Sequence, residues 1–153
     1  MAVEVVRKDL FEVEADVLVN PVNCVGVMGA GVARQFRERY PRMYMAYRIA
    51  CKKGQVRIGK PMIWIEGNRL ILNLPTKEHW REPSQYRFIE KGLEWIRENI
   101  DTMESVLGRK IKVIAMPWIG CGLGGLKKDR VYELIKEYLE GLECRVMICE
   151  IRR

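Results

Sequence analysis

The chain has 153 residues, of which 48% are apolar and 31% charged, and 27 Lys and Arg outnumber 20 Asp and Glu for a net charge of +7. This length and composition exclude a disordered chain and predict a single domain over residues 1–153. The two longest uncharged stretches, 17–33 and 113–126, contain Pro and several Gly, which excludes a membrane-spanning helix. The positive charge favours an acidic partner, such as a nucleic acid or a nucleotide.

The N-terminus has no basic region followed by an apolar one, so we expect no secretory signal and a cytoplasmic protein. Five cysteines, at positions 24, 51, 121, 144 and 149, are widely spaced without a CxxC pair, and His79 is the only histidine. This spacing does not suit a four-ligand zinc site. We expect the thiols to be small core residues, and we expect neither a metal nor a cofactor.

In the first half of the chain, β-branched runs predict strands at residues 4–7 and 16–22. The second run is nearly all apolar, as in a strand covered on both faces. A glycine-rich loop follows it, and then apolar spacing predicts a helix at residues 32–40. Pro41 predicts the start of a second helix, because proline is tolerated at a first helical position.

A hairpin comes next, since Gly67-Asn68 separates two strand-like runs at residues 62–66 and 69–73. Apolar residues three and four apart then predict an amphipathic helix over residues 83–100. The remaining elements are predicted as a buried strand (111–116), a second glycine-rich loop, a helix capped by Asp129 that runs to Leu139, and a last strand (144–151). Alternating strands and helices predict a three-layer α/β/α sandwich with a mixed, largely parallel sheet.

Both strand-to-helix loops lack Asp, Glu, Lys and Arg along their glycine-rich lengths, although nearly one-third of the chain is charged. Backbone amides at the start of a helix, left uncovered by glycine, form a cradle for phosphate, and a nearby carboxylate would repel the anion. In an open α/β sheet such loops lie beyond the carboxyl ends of the strands, where ligands bind. The two loops therefore predict a site for a phosphate-bearing ligand, and glycines needed only for tight turns are the alternative.

The sequence lacks the motifs of several common nucleotide-binding and catalytic sites. Neither loop has the Lys-Ser/Thr pair of a Walker P-loop, which disfavours NTP hydrolysis. Gly120, Gly122 and Gly125 form a GxGxxG pattern, but no acid ends a second strand about twenty residues later, which disfavours a dehydrogenase. The two serines, Ser84 and Ser105, lie outside any GxSxG pattern, and no carboxylate pair accompanies the loops, so a serine triad and a two-carboxylate glycosidase are poorly supported.

Four segments together resemble the macrodomain family, whose members bind ADP-ribose: Lys8-Asp9-Leu10, ADVLVNPVN at residues 15–23, and the two glycine-rich loops. Within that family, VNCVGVMGAG (22–31), LNLPTKEHWR (72–81) and IGCGLGGL (119–126) are similar to the DarG antitoxin macrodomains. Those proteins are DNA ADP-ribosyl glycohydrolases that reverse the action of the toxin DarT. The Thr-Lys-x-His-Trp-Arg segment is the most specific part of the resemblance.

The resemblance implies how ADP-ribose would be bound. Asp9, beside Leu10, would accept a hydrogen bond from the adenine amino group, and Asn23 would lie beside the distal ribose, whose hydroxyls an amide can both donate to and accept from. The two loops would close over the diphosphate and the distal ribose. The implied contact residues are Gly26, Val27, Met28, Gly29, Ala30, Gly31, Val32, Thr76, Gly120, Cys121, Gly122, Leu123, Gly124 and Gly125.

Lys77 is the candidate catalytic residue. It follows a predicted strand that should end near the same sheet edge as the loops, and an amine held away from water there can attack a sugar's anomeric carbon. The sequence alone leaves a solvated surface lysine open, whereas the resemblance makes Lys77 the catalytic lysine. It would act at the distal ribose by a covalent lysyl adduct or by electrostatic assistance, and the implied reaction removes ADP-ribose from thymidine in DNA.

The related terminal ADP-ribose protein glycohydrolase has an Asp where this chain has Gly124, which favours DNA as the substrate. Lys127 and Lys128 replace an acid and a tryptophan usual in DarG proteins, and could contact a DNA backbone. His79, Trp80 and Arg81 offer a stacking ring and a cation for a single-stranded substrate.

The expected partners are ADP-ribose, ADP-ribosylated single-stranded DNA and a DarT-type toxin. An ADP-ribose 1''-phosphate phosphatase and a non-catalytic ADP-ribose reader remain alternatives.

Overall fold

The computed structural model describes residues 2–151 and contains a six-stranded sheet. In chain order the strands are β1 (Val3–Val6), β2 (Val17–Val22), β3 (Met62–Glu66), β4 (Arg69–Pro75), β5 (Val113–Met116) and β6 (Arg145–Cys149). Their order across the sheet is β1-β6-β5-β2-β4-β3, and β3 is antiparallel to β4 while the other neighbours are parallel. The prediction of a mixed, largely parallel sheet is confirmed.

Helices cover both faces of this sheet. They are α1 (Gly31–Arg39), α2 (Pro41–Lys52), α3 (Tyr86–Glu98), α4 (Ile100–Leu107) and α5 (Lys128–Leu139), and a 3₁₀ turn lies at Gly122–Gly124. Side chains of α1 and α2 pack in one core cluster, and side chains of α3, α4 and α5 pack in the other. The three-layer sandwich is therefore confirmed. No helix within residues 2–151 combines the length and apolar character needed to cross a bilayer.

Alternation along the central strands produces the two cores. Val17 and Val19 of β2 point into the cluster of α3 and α5, whereas Leu18 points into the cluster of α1 and α2, and all three side chains are fully buried. A polar pair is buried in the same sheet, because Asn20 of β2 donates through Nδ2 to Oδ1 of its neighbour Asn73 in β4 at 2.9 Å. This bond gives each buried amide one polar partner, while Asn20 Oδ1 has none among the described residues.

The helix predicted over residues 83–100 corresponds to α3, whose bounds differ at both ends, and the separate helix α4 was not predicted. Asn99 leaves helical geometry (φ −122°, ψ 23°), and its Nδ2 donates to the carbonyl of Trp95 at 2.8 Å. This contact satisfies a carbonyl at the end of α3, and α4 then begins at Ile100. The spacing of apolar residues by three and four continues from α3 into α4, so the sequence does not indicate a helix end at Asn99.

Two further expectations need correction. Helix α5 begins at Lys128 with Lys127 at the N-cap, so Asp129 lies in the first turn, where its charge still favours the helix dipole. Strand β5 begins at Val113 rather than at residue 111, since the backbone amides of Lys112 and Val113 donate to the Asp16 carboxylate at 2.7 and 2.9 Å. The other predicted elements are confirmed to within one or two residues.

The strand order places three connections side by side. Strands β5, β2 and β4 are adjacent and parallel, so the segments that follow their carboxyl ends meet at one edge of the sheet. These segments are the first glycine loop (residues 23–31), the second glycine loop (117–126) and the segment after β4 (76–85), here called the strap. They form the candidate site.

Candidate functional site

A cleft of about 1160 Å³ opens between the two glycine loops and the strap. Its wall contains little charge: Lys77, Arg81 and Glu82 of the strap are the charged residues that line it. The other lining residues are Pro21, Val22, Asn23, Val27, Gly29, Ala30, Gly31, Val32, Ala33, Thr76, Trp80, Pro83, Pro117, Trp118, Gly120, Cys121, Gly122, Leu123 and Gly124. The structure thus brings the two uncharged loops and Lys77 to one cavity, as the sequence predicted.

The first glycine loop is held together by Asn23. Its side-chain Nδ2 donates to the Val27 carbonyl at 2.7 Å, and its Oδ1 accepts from the backbone amides of Val25 and Val27 at 3.1 and 3.3 Å. The Tyr47 hydroxyl donates to the Asn23 backbone carbonyl at 2.6 Å and to Oδ1 at 2.9 Å. Burial raises the pKa of Tyr47 far above its ordinary value, so the hydroxyl stays a donor. Asn23 therefore shapes the loop in addition to lining the cleft.

Helix α1 begins at this loop with unoccupied backbone donors. Its N-cap is Ala30, which has no side-chain acceptor, and the first turn contains no acid. The first amides of a helix have no partner within the helix, and they carry the positive end of its dipole. Gly31, Val32 and Ala33 line the cleft, so the positive end of this helix dipole faces the cavity.

The second glycine loop needs glycine for a steric reason at Gly120. Its φ is +74°, and a Cβ there would lie 2.7 Å from Cδ1 of Ile89 and 2.8 Å from Cδ1 of Leu126. No side chain fits without moving buried neighbours. The Leu126 amide also donates to the Gly120 carbonyl at 3.1 Å, which closes the loop.

Lys77 connects the strap to the second loop. The Thr76 amide donates to the Val22 carbonyl at 2.8 Å, which continues the β2–β4 pairing to the edge of the cleft. The next residue, Lys77, is partly buried and donates through Nζ to the Leu123 carbonyl at 3.2 Å. The Cys24 thiol donates to the Lys77 carbonyl at 3.4 Å. The first loop thus bonds the backbone of Lys77, while the second loop accepts a hydrogen bond from its amine.

Ser84 is a site residue that our reading of the sequence missed. It is 5% exposed, and its hydroxyl donates to the Thr76 carbonyl at 2.6 Å while its amide donates to the Gly124 carbonyl at 2.9 Å. A Cβ on Gly124 would lie 3.2 Å from the Ser84 Cβ and 3.9 Å from Lys77 Cε. Ser84 therefore fixes the distance between the residue before Lys77 and the loop facing it. No local motif signals this role.

The cysteines near the cleft are not poised as nucleophiles. Burial, with smaller contributions from Cys51 and Glu78, raises the pKa of Cys24 from 9.0 to about 11. Burial also raises the pKa of Cys121, although Lys128 opposes the shift. Both thiols are therefore protonated at neutral pH, whereas the thiolate is the attacking form. Lys77, whose amine lines the cleft, stays the candidate nucleophile.

An aromatic stack lies at the mouth of the cleft. His79 stacks on Trp80 with ring centroids 5.6 Å apart, and the Arg81 guanidinium lies 4.6 Å from the Trp80 ring centroid. Trp80 is 47% exposed and lines the cavity, while His79 does not. The structure thus groups all three residues, and Trp80 offers an accessible ring face at the rim.

Asp9 and Leu10 lie outside this cavity. Asp9 lines a smaller depression with Arg7, Lys8, Glu12, Glu150 and Ile151, and its carboxylate accepts from the Phe11 amide at 2.9 Å. Leu10 is buried in the core. The depression adjoins the cleft, because Trp118 of the cleft wall donates through Nε1 to Glu150 at 2.9 Å. A long ligand could therefore extend along the sheet edge from one to the other.

The remaining expected contacts are also outside the cavity wall. The Met28 side chain is fully buried in the core, and Gly26 and Gly125 do not line the cleft. Lys127 is exposed, while Lys128 forms a 2.9 Å ion pair with Glu150. Within residues 2–151 no group of three or more His, Cys, Asp or Glu side chains could hold a metal ion.

The chain is similar to proteins of known family, both in sequence and in structure. The family model described as "Macro domain" matches residues 19–135. A Thermus aquaticus protein named DNA ADP-ribosyl glycohydrolase is 43% identical over 142 residues, which cover 90% of this chain and 38% of that protein. The chain therefore spans less than half the length of this curated relative.

Two solved structures are also similar. The macrodomain of Thermus aquaticus DarG superposes with a TM-score of 0.87 at 40% identity, and the match covers 97% of each chain. Thermosipho africanus DarTG in complex with ADP-ribose superposes with a TM-score of 0.86 at 35% identity over 97% of this chain and 41% of that one. With its sheet order, its two glycine loops and these matches, the chain belongs to the macrodomain family, among the DarG macrodomains.

Proposed function

We propose that this chain is a DNA ADP-ribosyl glycohydrolase that removes ADP-ribose from thymidine, with Lys77 as the catalytic residue. One observation carries the proposal: the Lys77 amine projects into a cleft between two uncharged glycine loops and contacts the backbone of the second loop. The relative named DNA ADP-ribosyl glycohydrolase and the ADP-ribose complex of DarTG support the ligand and the reaction.

The loops suit the diphosphate and the distal ribose. The amides at the start of α1 would bind one phosphate, and the second loop offers glycine amides on the other side of the cavity. The contact residues expected from the sequence stay part of this proposal. Asp9 would hold the adenine amino group if the ligand extends into the adjoining depression.

Lys77 would act where the distal ribose lies between the strap and the second loop. In the covalent route the uncharged amine attacks the anomeric carbon, the bond to the thymine nitrogen breaks, and the base leaves with that electron pair and takes up a proton. Water then displaces the lysine and releases ADP-ribose. In the electrostatic route water attacks the anomeric carbon directly and gives up a proton, and the ammonium group stabilises the negative charge that develops on the departing base before the base is protonated.

The rim of the cleft suits a single-stranded nucleic acid. Trp80 presents a ring on which a neighbouring base could stack, and Arg81 adds a cation beside it. Lys127 is the better placed of the two expected backbone contacts after the second loop, because Lys128 is paired with Glu150. The substrate would be the product of a DarT-type toxin, so we propose that toxin as the functional partner and the cytoplasm, where DNA is modified, as the location.

The test uses a single-stranded oligonucleotide that carries ADP-ribosylated thymidine, and it measures released ADP-ribose by chromatography. We expect the parent protein to release ADP-ribose and Lys77→Ala to release it at least about 100-fold more slowly, the usual scale for losing one group that stabilises the transition state. Lys91→Ala, an exposed lysine on α3, is the matched control and should keep parental activity.

Two results would contradict the proposal. Phosphate release from ADP-ribose 1''-phosphate without dependence on Lys77 would identify a phosphatase. Tight binding of ADP-ribose in calorimetry, with no turnover of the modified oligonucleotide, would identify a reader. Trapping of a protein–ADP-ribose adduct on Lys77 in mass spectrometry would distinguish the covalent route from the electrostatic one.

A further inference from the structure

The positive charge of the chain is concentrated in one segment. Residues 31–60, which comprise α1, α2 and the loop after them, contain nine Lys and Arg and a single acid, Glu38. Their net charge of +8 exceeds the +7 of the whole chain, so the rest of the molecule is close to neutral. A single-sign surface of this kind attracts a polyanion.

Most of these cations have no acidic partner. The ion pair between Arg34 and Glu38 is the one salt bridge that the described residues form within this segment. On α2, Arg42, Met45, Arg48 and Lys52 recur at spacings of three and four and are exposed, which places them on one face of the helix. We call this set of four residues the α2 face.

Arg48 of the α2 face and Arg37 of α1 converge on one tyrosine ring. The guanidinium carbons of Arg37 on α1 and Arg48 on α2 lie 5.7 and 5.9 Å from the centroid of the Tyr44 ring. Two like charges share one aromatic ring here, and neither arginine forms a salt bridge with a described residue. An anion that bridges the guanidinium groups would relieve their repulsion, and phosphate suits the fork of an arginine.

This arginine pair adjoins the candidate site. The Tyr44 hydroxyl donates to the Gly26 carbonyl at 3.4 Å, and a Cβ on Gly26 would lie 3.6 Å from the Arg48 Cα. Gly26 belongs to the first glycine loop, whose next residue, Val27, lines the cleft. A nucleic-acid strand that leaves the cleft over the outer side of this loop would contact Arg37 and Arg48.

Resting on the proposed function, we infer that Arg37, Arg48 and the α2 face bind the phosphodiester backbone of the single-stranded DNA that carries the ADP-ribose. The backbone supplies regularly spaced negative charges, which match cations spread along a helix better than a single acidic side chain would. Binding here would hold the modified strand while its ADP-ribose occupies the cleft. The contact reads charge and not base sequence.

The test measures fluorescence anisotropy of a labelled, unmodified single-stranded oligonucleotide at 50 to 200 mM salt. The variant Arg37→Gln/Arg48→Gln removes both charges. The control Arg97→Gln/Lys136→Gln removes two other cations that lie over tyrosine rings, on α3 and α5 of the opposite layer. We expect the first variant to bind roughly tenfold more weakly at 50 mM salt, and its log–log salt slope to shrink by about 1.4, since each single-strand phosphate contact contributes about 0.7.

The inference is overturned if the two variants bind alike, if the parent protein does not bind the oligonucleotide at 50 mM salt, or if polyglutamate competes as well as DNA, which would indicate an acidic protein partner. Melting temperatures of both variants verify folding.

Turnover separates the two proposals. DNA binding through Arg37 and Arg48 without ADP-ribose release refutes the proposed function alone, whereas release with an unchanged KM in Arg37→Gln/Arg48→Gln refutes this inference alone.

Discussion

The two glycine loops share a composition but are anchored in different ways. The first loop is bonded within itself through Asn23 and to α2 through Tyr47, and Cys24 joins it to the strap. The second loop is bonded to the strap, through Ser84 and Lys77. The first loop therefore has a support in α2 that does not depend on the strap, whereas the second loop is bonded to the segment that carries the candidate nucleophile. Two loops of similar composition can thus be held in place by different parts of the fold.

The largest expected effect on stability comes from Gly120→Ala. The new Cβ would overlap Ile89 and Leu126 and would force a side chain into a positive φ, so we expect unfolding to become easier by about 3 kcal/mol. Gly125→Ala is the control, because Gly125 has a φ of +81° but nothing within 4 Å of its Cβ position. It should cost about 1 kcal/mol. Chemical denaturation measures both, and equal losses would show that the close packing at Gly120 contributes nothing.

Tyr47→Phe tests the first loop. The change deletes the buried hydroxyl that donates to the Asn23 carbonyl and to its Oδ1, so we expect a loss of about 2 kcal/mol in stability. Asn23 keeps its contacts with Val27, so the loop should stay formed, and the calorimetric affinity for ADP-ribose should fall by less than about tenfold. A complete loss of ADP-ribose binding by a folded Tyr47→Phe protein would show that the loop is not self-supporting.

A smaller loss of stability than for Gly120→Ala, about 1–2 kcal/mol, is expected from Ser84→Ala, which leaves the Thr76 carbonyl without its buried donor. Its effect on the site should be larger than its effect on stability suggests. We expect ADP-ribose release to slow by about tenfold while ADP-ribose affinity changes little, because Ser84 positions Lys77 against the second loop. Ser105→Ala, an exposed change on α4, is the control. If turnover and affinity stay parental in Ser84→Ala, the serine is only structural.

Local pattern explains what could be predicted of the fold. Apolar runs identified β2 and β5, the Gly67-Asn68 turn identified the hairpin, and Pro41 identified the start of α2. Errors arose where a side chain replaced a backbone partner. Asn99 ended α3 within a continuous apolar pattern, and Asp16 took the amides that would have begun β5. The Asp16 contacts join residues 96 and 97 positions apart, which no short window contains, whereas the Asn99 contact is local and carries no recognisable motif.

The features of the candidate site also separate into those that the sequence showed and those that only the structure showed. The absence of charge in the loops and the Thr76-Lys77 motif were visible in the sequence, and both segments do line the cleft. Ser84 was visible only as a serine outside any known motif, because its partners Thr76 and Gly124 lie 8 and 40 residues away. The excess of basic residues was visible as a total, whereas the pairing of Arg37 and Arg48 over Tyr44 was not.

The sequence by itself determined the elements, the two buried faces of the sheet and the two uncharged loops, because periodicity and glycine content act locally. The tertiary structure alone decided which residues meet. Lys77 contacts Leu123 across 46 positions because β4, β2 and β5 are neighbours in the sheet, and that order results from how the whole chain packs its two cores. Chemistry at this site therefore depends on strand order, which no single segment of the chain encodes.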